Sequence, residues 1–171
     1  MMQTDVLSAH LNASGFMTTA RTRVRGVISV ASSTAGTVNI WDTTTAPVSV
    51  TYGRSGTTIT VTHSSHGLTT GQWIGLTFAA GTGGTATNGN YQVTVSDANT
   101  YTVTDINSGS ITAGAAGTEG TRWLVSFDTA ALTTSGVPQT IFLPFPAEGM
   151  IARYGVYAQL SNQTGLTIFY G

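Results

Sequence analysis

The chain has 171 residues and a formal net charge of -1, and it contains neither Lys nor Cys. The lack of Cys excludes disulfides, thiolate nucleophiles and Cys-ligated zinc, and the near-neutral charge excludes the clustered basic surface that binds nucleic acid or anionic lipid. No run approaches the roughly 18 apolar residues of a membrane span, and the opening "MMQTDVLSAHLNASG" lacks the basic start and apolar centre of a standard signal peptide.

The surface predicted from this composition is polar but sparsely charged. Charged residues make up 8% of the sequence, against roughly 25% in ordinary soluble domains. Thr, Ser, Asn and Gln must therefore supply most of the polar surface. Such a surface is poorly protected against association, so we expect a chain that is permanently packed against partners.

Short segments along the chain alternate β-branched or aromatic residues with polar ones, which predicts half-buried antiparallel strands. They are "TVNIWD" (37–42), "VSVTY" (48–52), "TTITVTH" (57–63), "YQVTVSD" (91–97) and "TYTVTDI" (100–106). Turn-forming clusters lie between them: "SSTAG", "GRSG", "SSHG", "GTGGTATNG", "SDAN", "NSGS" and "TTSG". No segment has a helical stripe. The sequence predicts an all-β fold, either an antiparallel β-sandwich or a jelly-roll-like barrel.

The composition changes near residues 54 and 120, and between them Thr, Gly, Ser and Ala dominate. Without this segment, "NIWDTTTAPVSVTYG" runs into "TRWLVSFDTAALTTSG" as consecutive strands of one sheet. Insertions of this kind are tolerated at exposed loop tips. We therefore predict a discontinuous β-sandwich base domain, residues 1–53 plus 121–171, and a small inserted β domain, residues 54–120.

The stretch "HSSHGLTTGQW" places His63 and His66 three residues apart. On a helix this spacing suits a metal site, but no Cys, Asp or Glu follows within twenty residues to complete the ligand set. The favoured alternative is a corner in which His63 ends a strand and Gly67 takes a positive φ before "QWIGLTF". We therefore expect no metal and no cofactor.

Three Arg residues alternate in "RTRVRG", so a strand would present Arg21, Arg23 and Arg25 on one face. Such a row suits bidentate pairing with the carboxylates of a neighbouring subunit. It is equally typical of a solvated or edge face that carries protective charge. Both interpretations stay open.

The segment "LPFPAEGM" has two prolines, which preclude a central strand. We interpret it as a connection that crosses between sheets, with a docking loop as the alternative. For the tryptophans Trp41, Trp73 and Trp123 we favour core packing over a sugar-binding cleft. The full predicted interface consists of Arg21, Arg23, Arg25, Phe142, Pro144, Phe145, Pro146 and Arg153.

The sequence gives no support to an enzyme. The seven acidic residues lie in turn contexts such as "SDAN", "TDIN" and "SFDT" rather than as a paired catalytic set. There is no "GxSxG" elbow and no glycine-rich loop that opens onto a helix. A structural function is therefore the better prediction, with a hydrolase on a β scaffold as the least favoured class.

Two sets of residues resemble virion proteins of tailed phages. The segments "TITVTHSSHGLTTGQWIGLTF" and "TNGNYQVTVSDANTYTVT" resemble a small β-module, which we class as immunoglobulin-like, that is repeatedly inserted in such proteins; the match covers about residues 56–118. The flanks "RVRGVISVASSTAGTVNIWD" and "FLPFPAEGMIARYGVYAQLSNQTGLTIFYG" resemble short virion proteins of phages of marine and cyanobacterial hosts. Those relatives lack the insertion.

The resemblance implies a structural component of a virion that is assembled in the host cytoplasm. The expected function is a capsid decoration, or cement, protein whose partners are the major capsid protein or other virion proteins. The alternative is a tail- or fibre-associated module that binds a receptor or glycan. Low surface charge and the apolar, Pro-containing segment near the end of the chain also predict a homo-oligomer, most plausibly a homotrimer.

Overall fold

A computed structural model describes residues 6–130 and 139–171. The chain divides into two compact units, one formed by Met1–Ala46 with Leu124–Gly171 and the other by Pro47–Trp123. The described residues form fourteen strands and no helix: β1 (Leu7–Leu11), β2 (Gly15–Thr18), β3 (Thr22–Ala31), β4 (Gly36–Asp42), β5 (Val48–Thr62), β6 (Trp73–Phe78), β7 (Gly89–Gln92), β8 (Thr94–Asp97), β9 (Thr100–Gly120), β10 (Trp123–Thr129), β11 (Thr140–Pro144), β12 (Met150–Ala152), β13 (Val156–Ser161) and β14 (Gln163–Tyr170).

The first unit, the base, has two sheets. Their strand orders are β1-β14-β3-β11, with β12 also paired to β3, and β10-β4-β13-β2. The strand pairs of the base are nested along the chain, which means that outer strands pair with outer strands and inner strands with inner strands. β1 pairs with β14, β2 with β13, β3 with β11 and β12, and β4 with β10. A long antiparallel hairpin rolled into two sheets gives this order, which is that of a jelly roll. The prediction of an all-β sandwich or jelly-roll-like fold is confirmed.

Both sheets of the base contribute to one hydrophobic core. Strand side chains alternate between faces, so every second residue of the β-branched segments points inward. The buried residues are Met17, Val24, Val27, Val38, Ile40, Ala152, Val156, Ala158, Leu166 and Ile168. Asp42, at the end of β4, is fully buried and accepts backbone N–H groups from Arg153 and Tyr154 at 2.9 and 2.8 Å. A buried carboxylate thereby fixes the turn between β12 and β13.

The inserted unit begins where the jelly-roll hairpin has its tip, between β4 and β10 in chain order. Its limits, Pro47–Trp123, lie outside the predicted 54–120. The physical reason is strand pairing: β5 already begins at Val48, whose partner is Glu119 near the end of β9. Residues 48–52, which we assigned to the base, therefore pair within the insertion.

Two predicted turns of the insertion are wrong. The segments "GRSG" (53–56) and "NSGS" (107–110) lie inside β5 and β9, which pair with each other before and after them. Gly56 lies opposite Gly109, and the register shifts between Gly56 and Thr58. Gly56 has a φ of 63°. The glycines therefore permit a β-bulge rather than a chain reversal.

The sheet of the insertion has five strands in the order β5-β9-β6-β7, with β8 paired to β9. The last residues of β9 pair with β6 and its first residues pair with β8, while a single residue, Val93, separates β7 from β8. The sheet thereby returns on itself. It encloses a core of Val50, Tyr52, Ile59, Val61, Ile74, Leu76, Phe78, Ala86, Val93, Tyr101, Val103 and Ile111.

This topology corrects the expectation of an immunoglobulin-like module. An immunoglobulin domain has two separate sheets that pack face to face. The described strands of the insertion belong to one sheet. One long strand, β9, pairs with β6 through its last residues and with β8 through its first residues. The single sheet thereby closes around the core, and no second sheet is required to cover it.

Candidate functional site

The Arg row lies on and beside β3. Arg23 and Arg25 flank Val24, which is fully buried, so their side chains point away from the core. Arg21 is exposed and precedes the strand. The Arg23 guanidinium pairs with the Glu148 carboxylate at 2.9 Å, and both side chains are accessible to solvent. An exposed pair of this kind contributes about 0–1 kcal/mol, so it leaves the row available to a partner.

The "LPFPAEGM" segment stays on one sheet, so the predicted crossing between sheets is wrong. Both β11 and β12 pair with β3, with Pro144 opposite Gly26 and Met150 opposite Val24. Residues 145–149 therefore project from an interrupted edge strand, beside Arg25. Prolines lack the N–H that pairing requires, which explains the interruption. The Phe145 N–H donates to the Arg25 carbonyl at 2.9 Å and ties the projection to the Arg row.

Gly149 closes this projection, and we expect Gly149→Ala to lower the unfolding free energy of the base by about 1–3 kcal/mol. Its φ is 78°, and a Cβ there would lie 2.2 Å from the Val24 carbonyl oxygen. Chemical denaturation measures the change. Gly15→Ala is the matched control, because its Cβ would meet Leu11 side-chain atoms and the Ala13 carbonyl oxygen, all at ordinary contact distance. An equal loss in both variants would contradict the assignment of strain to Gly149.

Apolar side chains continue the same face of the sheet. Phe142 is 59% exposed, whereas its neighbour Leu143 packs against the core. Phe142 lies opposite Ile28, which is half-buried. Exposed aromatic residues and Arg are enriched at protein interfaces. The Arg/Phe surface is the set of Arg21, Arg23, Arg25, Phe142, Pro144 and Pro146.

Two residues of the predicted interface have other surroundings. Phe145 is half-buried and packs against the base core. Arg153 is exposed and directly follows β12, where its N–H donates to Asp42. Phe145 therefore anchors residues 145–149 to the core of the base, and Arg153 belongs to the β12–β13 turn.

The "HSSHG" stretch forms the predicted corner. β5 ends at Thr62, and Gly67 has a φ of 64°, which confirms the expected positive value. His66 uses both ring nitrogens, since Nδ1 accepts the Leu68 N–H and Nε2 donates to the Asp97 carbonyl. Within the described residues, no group of three or more His, Asp or Glu is arranged to hold a metal ion.

Sequence reasoning missed the partner of His63. Nδ1 of His63 lies 2.8 Å from Oε2 of Glu119, which also accepts the Tyr101 hydroxyl at 2.7 Å. Glu119 is 7% exposed. Burial and the adjacent Glu119 carboxylate raise the pKa of Tyr101 far above its usual range, so the phenol stays protonated and donates. The group stabilises the corner against β9.

Replacing His63 with Ala should lower the unfolding free energy of the inserted unit by about 1–3 kcal/mol, because a buried carboxylate loses one of its partners. Thermal unfolding of the whole chain measures it. His10→Ala is the control, since His10 is exposed and its Nδ1 lies 2.9 Å from the Thr167 hydroxyl rather than beside a buried carboxylate. A His63 variant as stable as the His10 variant would show that Glu119 does not need this partner.

The tryptophans divide between core and surface. Trp41 is fully buried, as predicted, and Trp123 is half-buried. Trp73 is 63% exposed, so the core prediction is wrong there. The next residue, Ile74, points into the core, and strand alternation turns Trp73 outward.

Comparisons with known protein families, characterised proteins and solved structures found no significant match. In residues 6–130 and 139–171, no helix has the length and apolar character needed to cross a membrane.

Proposed function

We propose that the chain is a structural protein of a phage virion, and specifically a capsid decoration protein that attaches through the Arg/Phe surface of its base. The carrying observation is that Arg side chains on and beside β3 lie next to an exposed Phe and two exposed Pro of the segment that pairs with β3. The sequence resemblance to phage virion proteins supports the same function.

The fold and the charge of the chain agree with this proposal. Jelly rolls are common in viral capsid proteins, although they also occur in lectins and cupins, so the fold supports the proposal only by analogy. Charged residues form 8% of the sequence. A surface with so little charge suits a protein that stays assembled. The proposed partners are the major capsid protein and other copies of this chain, arranged as a homotrimer.

Attachment would stabilise the particle by mass action. A protein that binds assembled capsid subunits and not separated ones shifts the equilibrium toward the shell. Arg guanidinium groups bind carboxylates of the shell in bidentate geometry, and Phe142 supplies an apolar anchor beside them.

A cryo-microscopy map of the virion tests the proposal. We expect density of this chain on the capsid exterior, with the Arg/Phe surface against the shell. Density only on the tail or its fibres would instead support the alternative, a receptor- or glycan-binding module. Solution scattering of the purified protein tests the homotrimer, and a monomer at every concentration would contradict it.

A deletion variant tests whether the base attaches to capsids without the inserted unit. Replacing residues 47–122 with a short Gly-Ser linker removes the inserted unit apart from Trp123, the first residue of β10, and keeps β4 and β10. Loop closure costs change by only about 0.6 kcal/mol for each doubling of loop length, so the base tolerates the shorter connection. We expect this variant to coat capsids as the full chain does.

A further inference from the structure

The inserted unit has an open groove of about 490 Å³ on the outer side of its sheet. It is lined by the side chains of Trp73, Asn90, Gln92, Thr94, Thr104 and Ile106. Its volume lies within the range of about 300–1,000 Å³ found for small-ligand sites. The groove lies where β7 passes into β8, between β6 and the first half of β9.

Two large apolar side chains stand exposed in this groove. Trp73 is 63% exposed and Ile106 is 86% exposed, although the adjacent Ile74 and Asp105 are buried. Trp is a large residue that proteins usually bury at least in part. Its exposure leaves a flat ring face and an indole N–H available to a ligand.

The polar part of the groove is fixed in position. The Asn90 amide makes two hydrogen bonds to the backbone of Trp123, donating to its carbonyl and accepting its N–H, both at 2.9 Å. The Gln92 amide donates to the Gly71 carbonyl at 3.0 Å. Each amide nitrogen keeps a second N–H, and each amide oxygen keeps at least one free lone pair. Held amides lose little freedom when they bind a ligand.

The groove contains no charged side chain among its lining residues. The nearest acid along β9, Asp105, is 2% exposed and pairs with Arg54. A cationic or anionic ligand would therefore find no counter-charge. An uncharged ligand with hydroxyl groups and an apolar face would find hydrogen-bond partners and an aromatic ring.

We propose that this groove binds an uncharged saccharide. A sugar ring stacks its C–H face on the Trp73 indole and packs an edge on Ile106. The amides of Asn90 and Gln92 and the hydroxyls of Thr94 and Thr104 meet its hydroxyl groups. A protein partner fits less well, because a stable protein interface buries about 800 Å² on each side and has several anchors. This site belongs to the inserted unit and does not depend on capsid attachment. The proposal of saccharide binding can therefore be wrong while that of capsid attachment is right, and the reverse.

Nuclear magnetic resonance of the full chain tests the site with uncharged hexasaccharides of glucose, galactose and mannose at millimolar concentration. We expect at least one of them to shift the Trp73 indole N–H signal and backbone signals of the groove strands, while the signals of the base stay unchanged. The Trp73→Ala variant should bind that saccharide about tenfold more weakly, which equals about 1.4 kcal/mol.

Val48→Ala is the matched control, because Val48 is an exposed apolar residue of the same unit outside the groove lining. It should bind the saccharide as the full chain does. Thermal unfolding of Trp73→Ala should match that of the unsubstituted chain, since the indole is largely exposed. No signal shift with any of the hexasaccharides would overturn the proposal, and so would binding that survives Trp73→Ala or signal shifts confined to the base.

Discussion

Replacing Asp105 with Ala lowers the unfolding free energy of the inserted unit by about 3–5 kcal/mol, since the change leaves a buried Arg without its counter-charge. The Arg54 Nη1 lies 2.6 Å from Asp105 Oδ2, and the two side chains are 7% and 0% exposed. A guanidinium keeps its charge in proteins, so the unpaired charge must either stay buried or force the strands apart to reach water.

Asp105 also holds the local backbone. Its carboxylate accepts the N–H groups of Thr87 and Asn107 at 3.2 and 3.0 Å. Removing it therefore leaves three donors without their partner, one of them charged. A loss of several kcal/mol approaches the whole stability of a small unit.

Chemical denaturation of the whole chain measures this loss, and the unfolding of the insertion is followed by amide hydrogen exchange of β5 and β9. The double variant Arg54→Met, Asp105→Leu is the control. Replacing a buried ion pair with apolar residues is often neutral or stabilising. It should therefore recover the part of the lost stability that comes from the unpaired charge, while the N–H groups of Thr87 and Asn107 stay without this acceptor. A single variant as stable as the double variant would contradict a buried, charge-dependent pair.

The Arg54–Asp105 pair also makes the stability of the inserted unit depend on pH in the acid range. Burial alone raises the pKa of Asp105, but the hydrogen bonds from Asn107, Thr87 and Arg54 outweigh it, and the pKa is lowered. A carboxyl with a lowered folded-state pKa stabilises the fold above its unfolded pKa, about 3.9, and loses that contribution as pH falls toward the folded value. Acid should therefore weaken the insertion below about pH 4, and Asp105→Ala should remove this part of the dependence.

The strands were predictable because their side-chain period is strong. In "TTITVTH", residues 58–62 alternate exposed and buried as they alternate in the sequence. In "TVNIWD", half-buried and buried residues alternate as far as Ile40, and Trp41 and Asp42 are then both buried. The nested pairing of the base was not predictable to the same degree, since Leu7 pairs with Tyr170 across almost the whole chain. Local composition contains no signal for such distant partners.

The glycine-rich segments show why local signals mislead. Gly56 and Gly67 both have positive φ, yet the first sits in a bulge inside a long strand and the second in a corner. A positive φ is compatible with both arrangements, and only the presence of a partner strand decides between them.

The candidate sites were predictable in part. The Arg row needs only strand alternation, and Arg23 and Arg25 do point away from the core. The partner of His63 lies 56 residues away along the chain. The groove at Trp73 depends on the junction of four strands, so no single segment of the sequence indicates it.

Replacing Arg21, Arg23 and Arg25 together with Ser should weaken attachment to capsids about a hundredfold, which equals about 2.7 kcal/mol. A few anchors carry most of the energy of an interface, and Arg is prominent among them. The fold should survive, because Arg23–Glu148 is an exposed pair that contributes about 0–1 kcal/mol. Cosedimentation with capsids that lack the protein measures the affinity.

The matched control replaces the same three residues with Lys, which keeps the charge and removes the bidentate fork. If bidentate pairing carries attachment, the Lys variant binds between the unsubstituted chain and the Ser variant. If charge alone carries it, the Lys variant binds as the unsubstituted chain does. Exposed charges are screened over about 10 Å at 0.1 M salt, so the difference between the Ser variant and the unsubstituted chain should shrink as salt rises. A Ser variant that coats capsids normally at low salt would mean that the Arg row is a solvated face. The anchor would then have to lie elsewhere on the base, with Phe142 and the projecting residues 145–149 as the first segment to substitute.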